Sequence, residues 1–185
     1  DLDPAAVESL QRYIEKAGKK EKAGVRAEDS IEGTFGMIDY LDSSAFIHFD
    51  PYLILAPNDQ GRTYLDCFIK AAQRGVRSVL WYGYMTRTEQ KSIRSAIMQG
   101  LKAARVKTEK VQSCELHLSL LTDNPLPFNP GIAGCGLVVA NLRNSSLDAL
   151  YALGKETEAL YKGALYENRY EASQVFSPWL WNREE

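Results

Sequence analysis

Apolar positions along the chain alternate between two periods. Val7, Leu10, Ile14 and Ala17 fall three or four residues apart, the spacing of one helical face. Asp3 before Pro4 supplies an N-cap and a proline at the first helical position. The run KAGKKEKAG (16–24) closes this helix in a basic, solvated turn. Gly24–Glu28 reads as a short strand and Ile31–Leu41 as a short helix broken at Gly33 and Gly36. Ala45–Phe49 is a strongly apolar strand of the kind found in the middle of a sheet. Leu65, Phe68, Ile69 and Ala72 return to helical spacing, and Gly75 stops that helix. Val76–Tyr82 predicts the next strand. Thr86-Arg-Thr-Glu89 predicts a capping box for a helix that buries Ile93, Ile97 and Leu101. Val111–Leu121 alternates as a strand, 123–134 is a long Pro/Gly loop of the kind that often belongs to a site, and Gly136–Asn141 is apolar strand. Leu147–Tyr161 predicts a helix and Ser173–Trp181 a closing strand.

About six strands with intervening helices predict an α/β fold with a mainly parallel sheet, an antiparallel C-terminal strand and helices on both faces. The 185 residues suit one domain with a sizeable core. The chain opens on a helix, and Asp1–Pro4 reads as the tail of a strand, so the expectation is that upstream elements precede it.

Composition narrows the class. No apolar run approaches the ~18 residues of a membrane span, and the acidic start lacks the flank of a signal peptide. Cys67, Cys114 and Cys135 are far apart and odd in number, which is neither a disulfide framework nor a zinc motif and leaves a reducing cytoplasm as the default. The three thiols read as small buried hydrophobes. His48 and His117 are the two histidines and read as core residues, with no metal expected. The net charge is −2, yet residues 70–110 hold ten Lys/Arg against Glu89 and Glu109. That surplus of about eight can form a phosphate-attracting face, or simply two basic solvated helices.

Three acid-tipped strand ends are expected in order: Asp1 before the first helix, Asp29 after VRAE and Asp50 after FIHF. In an open α/β sheet, ligands bind where the carboxyl ends of the strands line one edge. A carboxylate there can accept from a ribose diol, from an adenine amine, or from a substrate amine. Asp50-Pro51-Tyr52 follows the apolar strand AFIHF at once, with the acid stiffened by proline and an aromatic ring beside it.

Asp50-Pro51-Tyr52 resembles a shortened form of the [DNS]-P-P-[YFW] signature of amino-group methyltransferases. From Asp1 to the C-terminus the chain resembles the bacterial large-subunit rRNA adenine-N(6) methyltransferases (RlmJ-like). DLDP at the start, RAEDSIEGT around Asp29, FDPY, SVLWYGY (78–84), CELHLS (114–119) and GIAGCGLVVAN (131–141) carry the resemblance. It implies a Rossmann-like sheet, S-adenosylmethionine as cofactor and an adenine in RNA as methyl acceptor. Asp1 would hold the cofactor ribose, and Asp29 with the Ser30 backbone its adenine. Asp50 and the Pro51 carbonyl would accept from the target amine, Tyr52 would stack on the base, and the loop with Gly131 would close over it. The first strand and Gly-rich turn of the family have no counterpart within the 185 residues. Two other readings stay open: a methyltransferase-like module that binds nucleic acid or a partner without catalysis, and an amine methyltransferase acting on DNA or a small molecule.

Overall fold

The computed structural model describes residues 2–117, 132 and 134–162. Its elements in chain order are helix α1 (Pro4–Lys16), α2 (Ser30–Met37) with a 3-10 turn at Ile38–Tyr40, strand β1 (Phe46–Phe49) and α3 (Tyr64–Gln73). There follow β2 (Arg77–Tyr84), α4 (Arg87–Ala103), a 3-10 turn at Thr108–Lys110, β3 (Val111–His117), β4 (Gly134–Ala140) and α5 (Asn144–Lys162). The strands form one sheet in the order β1-β2-β4-β3. β1 and β2 are parallel, and β4 runs antiparallel to both of its neighbours. Three strands therefore share one direction and one is reversed, giving an α/β protein with an open, Rossmann-like sheet.

Local chemistry accounts for most of these boundaries. Asp3 Oδ1 accepts from Ala5 N at 2.9 Å at the start of α1. Thr63 and Asp66 form a reciprocal capping box at the start of α3, and Gly75, at φ +76°, ends it. Thr86 caps α4 by accepting from Glu89 N, but Glu89 reaches back to Met85 N and not to Thr86. The predicted box is thus shifted by one residue on its return arm.

Strand alternation places the core. Ser78, Leu80, Tyr82 and Tyr84 of β2 are buried, whereas Arg77, Val79, Trp81 and Gly83 are half-buried. Onto the buried face pack Leu65, Phe68, Ala71 and Ala72 of α3, Ile93, Ile97 and Leu101 of α4, and Ile31 and Ile38 from the α2 region. Phe68, fully buried, meets Phe49 edge-on with ring centroids 6.3 Å apart. Ser78 and Ser113 are buried there too, and neither hydroxyl finds a partner among the described residues.

Several sequence expectations change. Gly24–Glu28 is extended but is not a strand of the sheet; Val25 and Ala27 alone supply too little apolar surface to hold it there. α2 runs through Gly33 and Gly36 unbroken, because neither takes a positive φ and packing against α3 outweighs glycine's weak helix propensity. His48 is exposed, not a core residue: β1 stands at one end of the described sheet, so Phe46 and His48 face outward while Phe49 faces the helices. On α1 only Val7 is buried, and Leu10 of the predicted apolar face is 48% exposed. The reversed strand is Gly134–Ala140. The predicted strand Ser173–Trp181 lies outside the described residues, as do Asp1, Gly131 and most of the 123–134 loop.

Candidate functional site

The site forms where β1 ends. Phe49 is anchored in the core at 4% exposure, and the chain then turns outward at Asp50. Pro51 is buried, Tyr52 is 76% exposed and Leu53 56% exposed, and Ile54 dives back into the core. Ile54 O accepts from Leu65 N at 3.2 Å, which pins the turn to the start of α3. Anchors at Phe49 and Ile54 therefore hold Asp50 and the Tyr52 ring out toward solvent. Among the described residues no side chain or backbone group donates to the Asp50 carboxylate.

The same loop then returns to Asp29. Asn58 organises it: its backbone N–H donates to Arg62 O at 2.8 Å, and its Oδ1 accepts from the backbone N–H of Gln60 and of Arg62, both at 3.0 Å. Gly61, at φ +76°, supplies the left-handed turn this requires. The Asn58 amide then donates to Glu32 Oε1 at 2.8 Å and reaches Asp29 Oδ1 at 3.4 Å. Arg62 pairs with Glu32 Oε2. One loop thus connects Asp50 to Asp29, the second and third of the three predicted acids.

Asp29 is the N-cap of α2 and accepts from Glu32 N at 2.9 Å. That backbone N–H, helped by Asn58, holds its carboxyl below the usual aspartate range against the opposing effect of partial burial. Asp29 is therefore ionised at neutral pH. The Ser30 hydroxyl lies 2.5 Å from the Tyr64 hydroxyl, tying the start of α2 to that of α3. Beneath them the Phe35 ring is covered by Lys70 Nζ at 4.0 Å and Arg62 Cζ at 4.5 Å from its centroid.

The ten basic residues of 70–110 divide by role. Lys70 donates to Phe35 O at 2.7 Å and to Asp39 Oδ2 at 2.8 Å, and Arg74 donates to Asp39 O at 2.8 Å. Arg77 donates to the carbonyls of Ser44 and Ala45. These three cations clamp the arc 35–45 that leads into β1. The others sit on α4 or on the turn before β3.

Pattern reading missed a buried polar cluster between the sheet and α4. The Tyr82 hydroxyl donates to Glu115 Oε1 at 2.5 Å, and Gln90 Nε2 donates to Glu115 Oε2 at 2.7 Å and to the Tyr84 hydroxyl at 3.2 Å. Tyr84 donates in turn to Leu116 O at 3.2 Å. Burial raises the Glu115 carboxyl above its usual range, although the Tyr82 bond and the Arg94 and Arg87 charges pull the other way. Glycines opposite make room: a Cβ on Gly136 would overlap the Tyr82 ring, and one on Gly134 the Tyr84 ring. The signal in sequence was the alternation of Tyr82-Gly83-Tyr84 against Gly134-Cys135-Gly136, small residues facing large.

Cys135 is a half-buried free thiol, whereas all three cysteines were expected to be buried. Cys67 and Cys114 are buried free thiols, each pushed up to about 12 by burial. Among the described residues no three His, Cys, Asp or Glu side chains group to hold a metal, and no helix is long and apolar enough to cross a membrane.

No family model matches the chain, and no curated protein matches it. Among solved structures it is similar to the crystal structure of protein LPL1258 from Legionella pneumophila str. Philadelphia 1, described with the family model DUF519. The TM-score is 0.56 at 17% identity, over 85% of this chain and 53% of that one. The chain thus spans about half the length of that protein. The likeness is one of fold, and it agrees with the Rossmann-like sheet built above.

Proposed function

We propose that the protein takes part in S-adenosylmethionine-dependent methylation of the exocyclic amine of adenine in RNA. The observation that carries this reading is the single loop that starts at Asp50-Pro51-Tyr52 on the carboxyl end of β1 and closes on Asp29 through Asn58. It links, through one loop, an ionised carboxylate suited to a cofactor adenine and a second carboxylate suited to a substrate amine. The resemblance of the motifs supplies the choice of reaction.

The residues fit the cofactor at its adenine end. Asp29 would accept from the adenine amine with the oxygen that Glu32 N and Asn58 do not use, and the Ser30 backbone would contact the ring. Asp1, the ribose acceptor implied by the resemblance, is outside the described residues. S-adenosylmethionine supplies an electrophilic methyl group. Asp50 and the Pro51 carbonyl would accept from the target amine, orienting its lone pair and stabilising the positive charge that grows on nitrogen. The proton released after transfer passes to solvent. The exposed Tyr52 ring would stack on the base, which has to leave its helix to be reached.

The test is methyl transfer from labelled S-adenosylmethionine to rRNA, in the full-length protein, for wild type and Asp50→Ala. Loss of turnover with an unchanged melting curve supports the assignment, and full activity in the variant overturns it. Turnover on free amines but not on rRNA would replace RNA with a small-molecule acceptor. Calorimetry showing no S-adenosylmethionine binding would leave a non-catalytic binding module.

A further inference from the structure

The edge of the sheet opposite Asp50 carries charge of its own. There α4 ends, the turn before β3 begins, and β4 runs into α5. Over residues 102–110 and 141–143 this edge holds Lys102, Arg105, Lys107, Lys110 and Arg143 against a single acid, Glu109. All five cations are exposed, and none makes an ion pair among the described residues. Lys70, Arg74 and Arg77 differ, because they are engaged with the 35–45 arc.

The base beneath these side chains is cross-linked by hydrogen bonds. Asn141, at φ +56°, donates its backbone N–H to Lys110 O at 2.8 Å and its amide to Ala72 O at 3.0 Å and Val76 O at 3.2 Å. Gln73 Nε2 donates to Ala104 O at 2.7 Å. Three turns are thereby stitched into one platform. Arg105 occupies it at φ +55°, a left-handed conformation that glycine would adopt more readily. A long cation is held there against local backbone preference.

We propose that this edge is a phosphate-docking surface for RNA, separate from the Asp50 edge. The eight residues of β2 span the distance between the two edges, about 25 Å at ~3.3 Å per residue. RNA is favoured over a membrane because four of the five cations sit on turns at a sheet edge, with only Lys102 in the last turn of α4, and not along an amphipathic helix. With a net charge of −2, the remainder of the molecule repels a polyanion, so the segregated edge orients it. The choice of RNA as the polyanion rests on the methylation reading above; the surface itself does not.

The experiment measures binding of a structured rRNA hairpin to the full-length protein across a potassium chloride series. The proteins are wild type, Lys107→Gln/Lys110→Gln/Arg143→Gln and Arg105→Gly. The triple variant is expected to lose affinity by about tenfold or more at low salt, and its salt slope to drop by about two to three, one lost phosphate contact per cation. Arg105→Gly removes charge from a position that suits glycine, so it should weaken binding while melting no lower than wild type. Unchanged affinity and slope in the triple variant overturn the proposal, as does patch-dependent binding to anionic phospholipid vesicles without binding to the hairpin. Patch-dependent RNA binding without methyl transfer would sink the methylation reading and leave the surface standing.

Discussion

The Tyr82 hydroxyl lies 2.5 Å from Glu115 Oε1 inside the interface between the sheet and α4. Glu115 is only 5% exposed, so this bond and the one from Gln90 stand in for water. Glu115→Ala leaves the Tyr82 hydroxyl buried without its acceptor and Gln90 Nε2 with the Tyr84 hydroxyl alone, with an expected loss of about 1–3 kcal/mol. The pH dependence has a definite sign. Burial raises the folded-state carboxyl above its unfolded value, so the folded chain holds the proton to higher pH. The associated stability is fully present below the unfolded value and is lost as pH rises through the folded one. Urea midpoints across pH 4–8 should show this decline in wild type and a flatter profile in Glu115→Gln.

Gly136→Ala is expected to destabilise by about 1–3 kcal/mol. In most strand interiors alanine is the better residue, but here its Cβ would meet the Tyr82 ring. Denaturant midpoints of Gly136→Ala, Tyr82→Leu and the double variant check the cause. The two costs should fail to add, because leucine removes the atoms that the new methyl strikes.

Asp29 serves as cap and as candidate ligand, and two substitutions separate the roles. Asp29→Ala should cost about 1 kcal/mol through the lost cap. Asp29→Asn keeps an oxygen for Glu32 N, so its midpoint at neutral pH should stay closer to wild type, while S-adenosylmethionine affinity measured by calorimetry falls. The depressed carboxyl value contributes stability above the unfolded value that disappears as pH falls through the folded one. The Asn variant should lack that acid-side component.

Ser78→Ala and Ser113→Ala are expected to raise stability, each by up to about 1 kcal/mol, since each deletes a buried hydroxyl that has no partner among the described residues. Thermal melts settle the sign. A loss in either variant would show that the hydroxyl bonds a group outside those residues.

The helices of the fold were legible in sequence wherever a cap and a spacing coincided. Asp3-Pro4, Thr86 with Ile93 and Ile97, and Gly75 after Ala72 each marked a boundary now seen. Apolar continuity marked β1, β2 and β4 but not their order, because pairing is settled by partners far away in the chain. His48 was misplaced for that reason: whether a residue on an apolar strand is buried depends on which neighbours flank the strand. Asp50 was visible as an acid at a strand end, whereas Asp29, expected at another, caps α2 after a segment that is not a strand. Their connection through Asn58 was not visible, because a polar loop residue carries no period and its bonds to Glu32 and Asp29 depend on tertiary placement. Glu115 was hidden within an alternating strand, where a buried acid is intelligible only beside Tyr82 and Gln90.

The pairing of Gly134 and Gly136 with Tyr84 and Tyr82 also bears on how the chain reaches this structure. β2 and β4 are neighbours in the sheet, yet β3 and a long stretch of chain separate them in sequence. Closing so large a loop is slow, and a strand arriving late can pair out of step. If β4 arrives two residues out of step, Val138 falls opposite Tyr82, where the native sheet has a glycine. Two hydrogen atoms, in place of side chains, thus favour the native alignment over that slip.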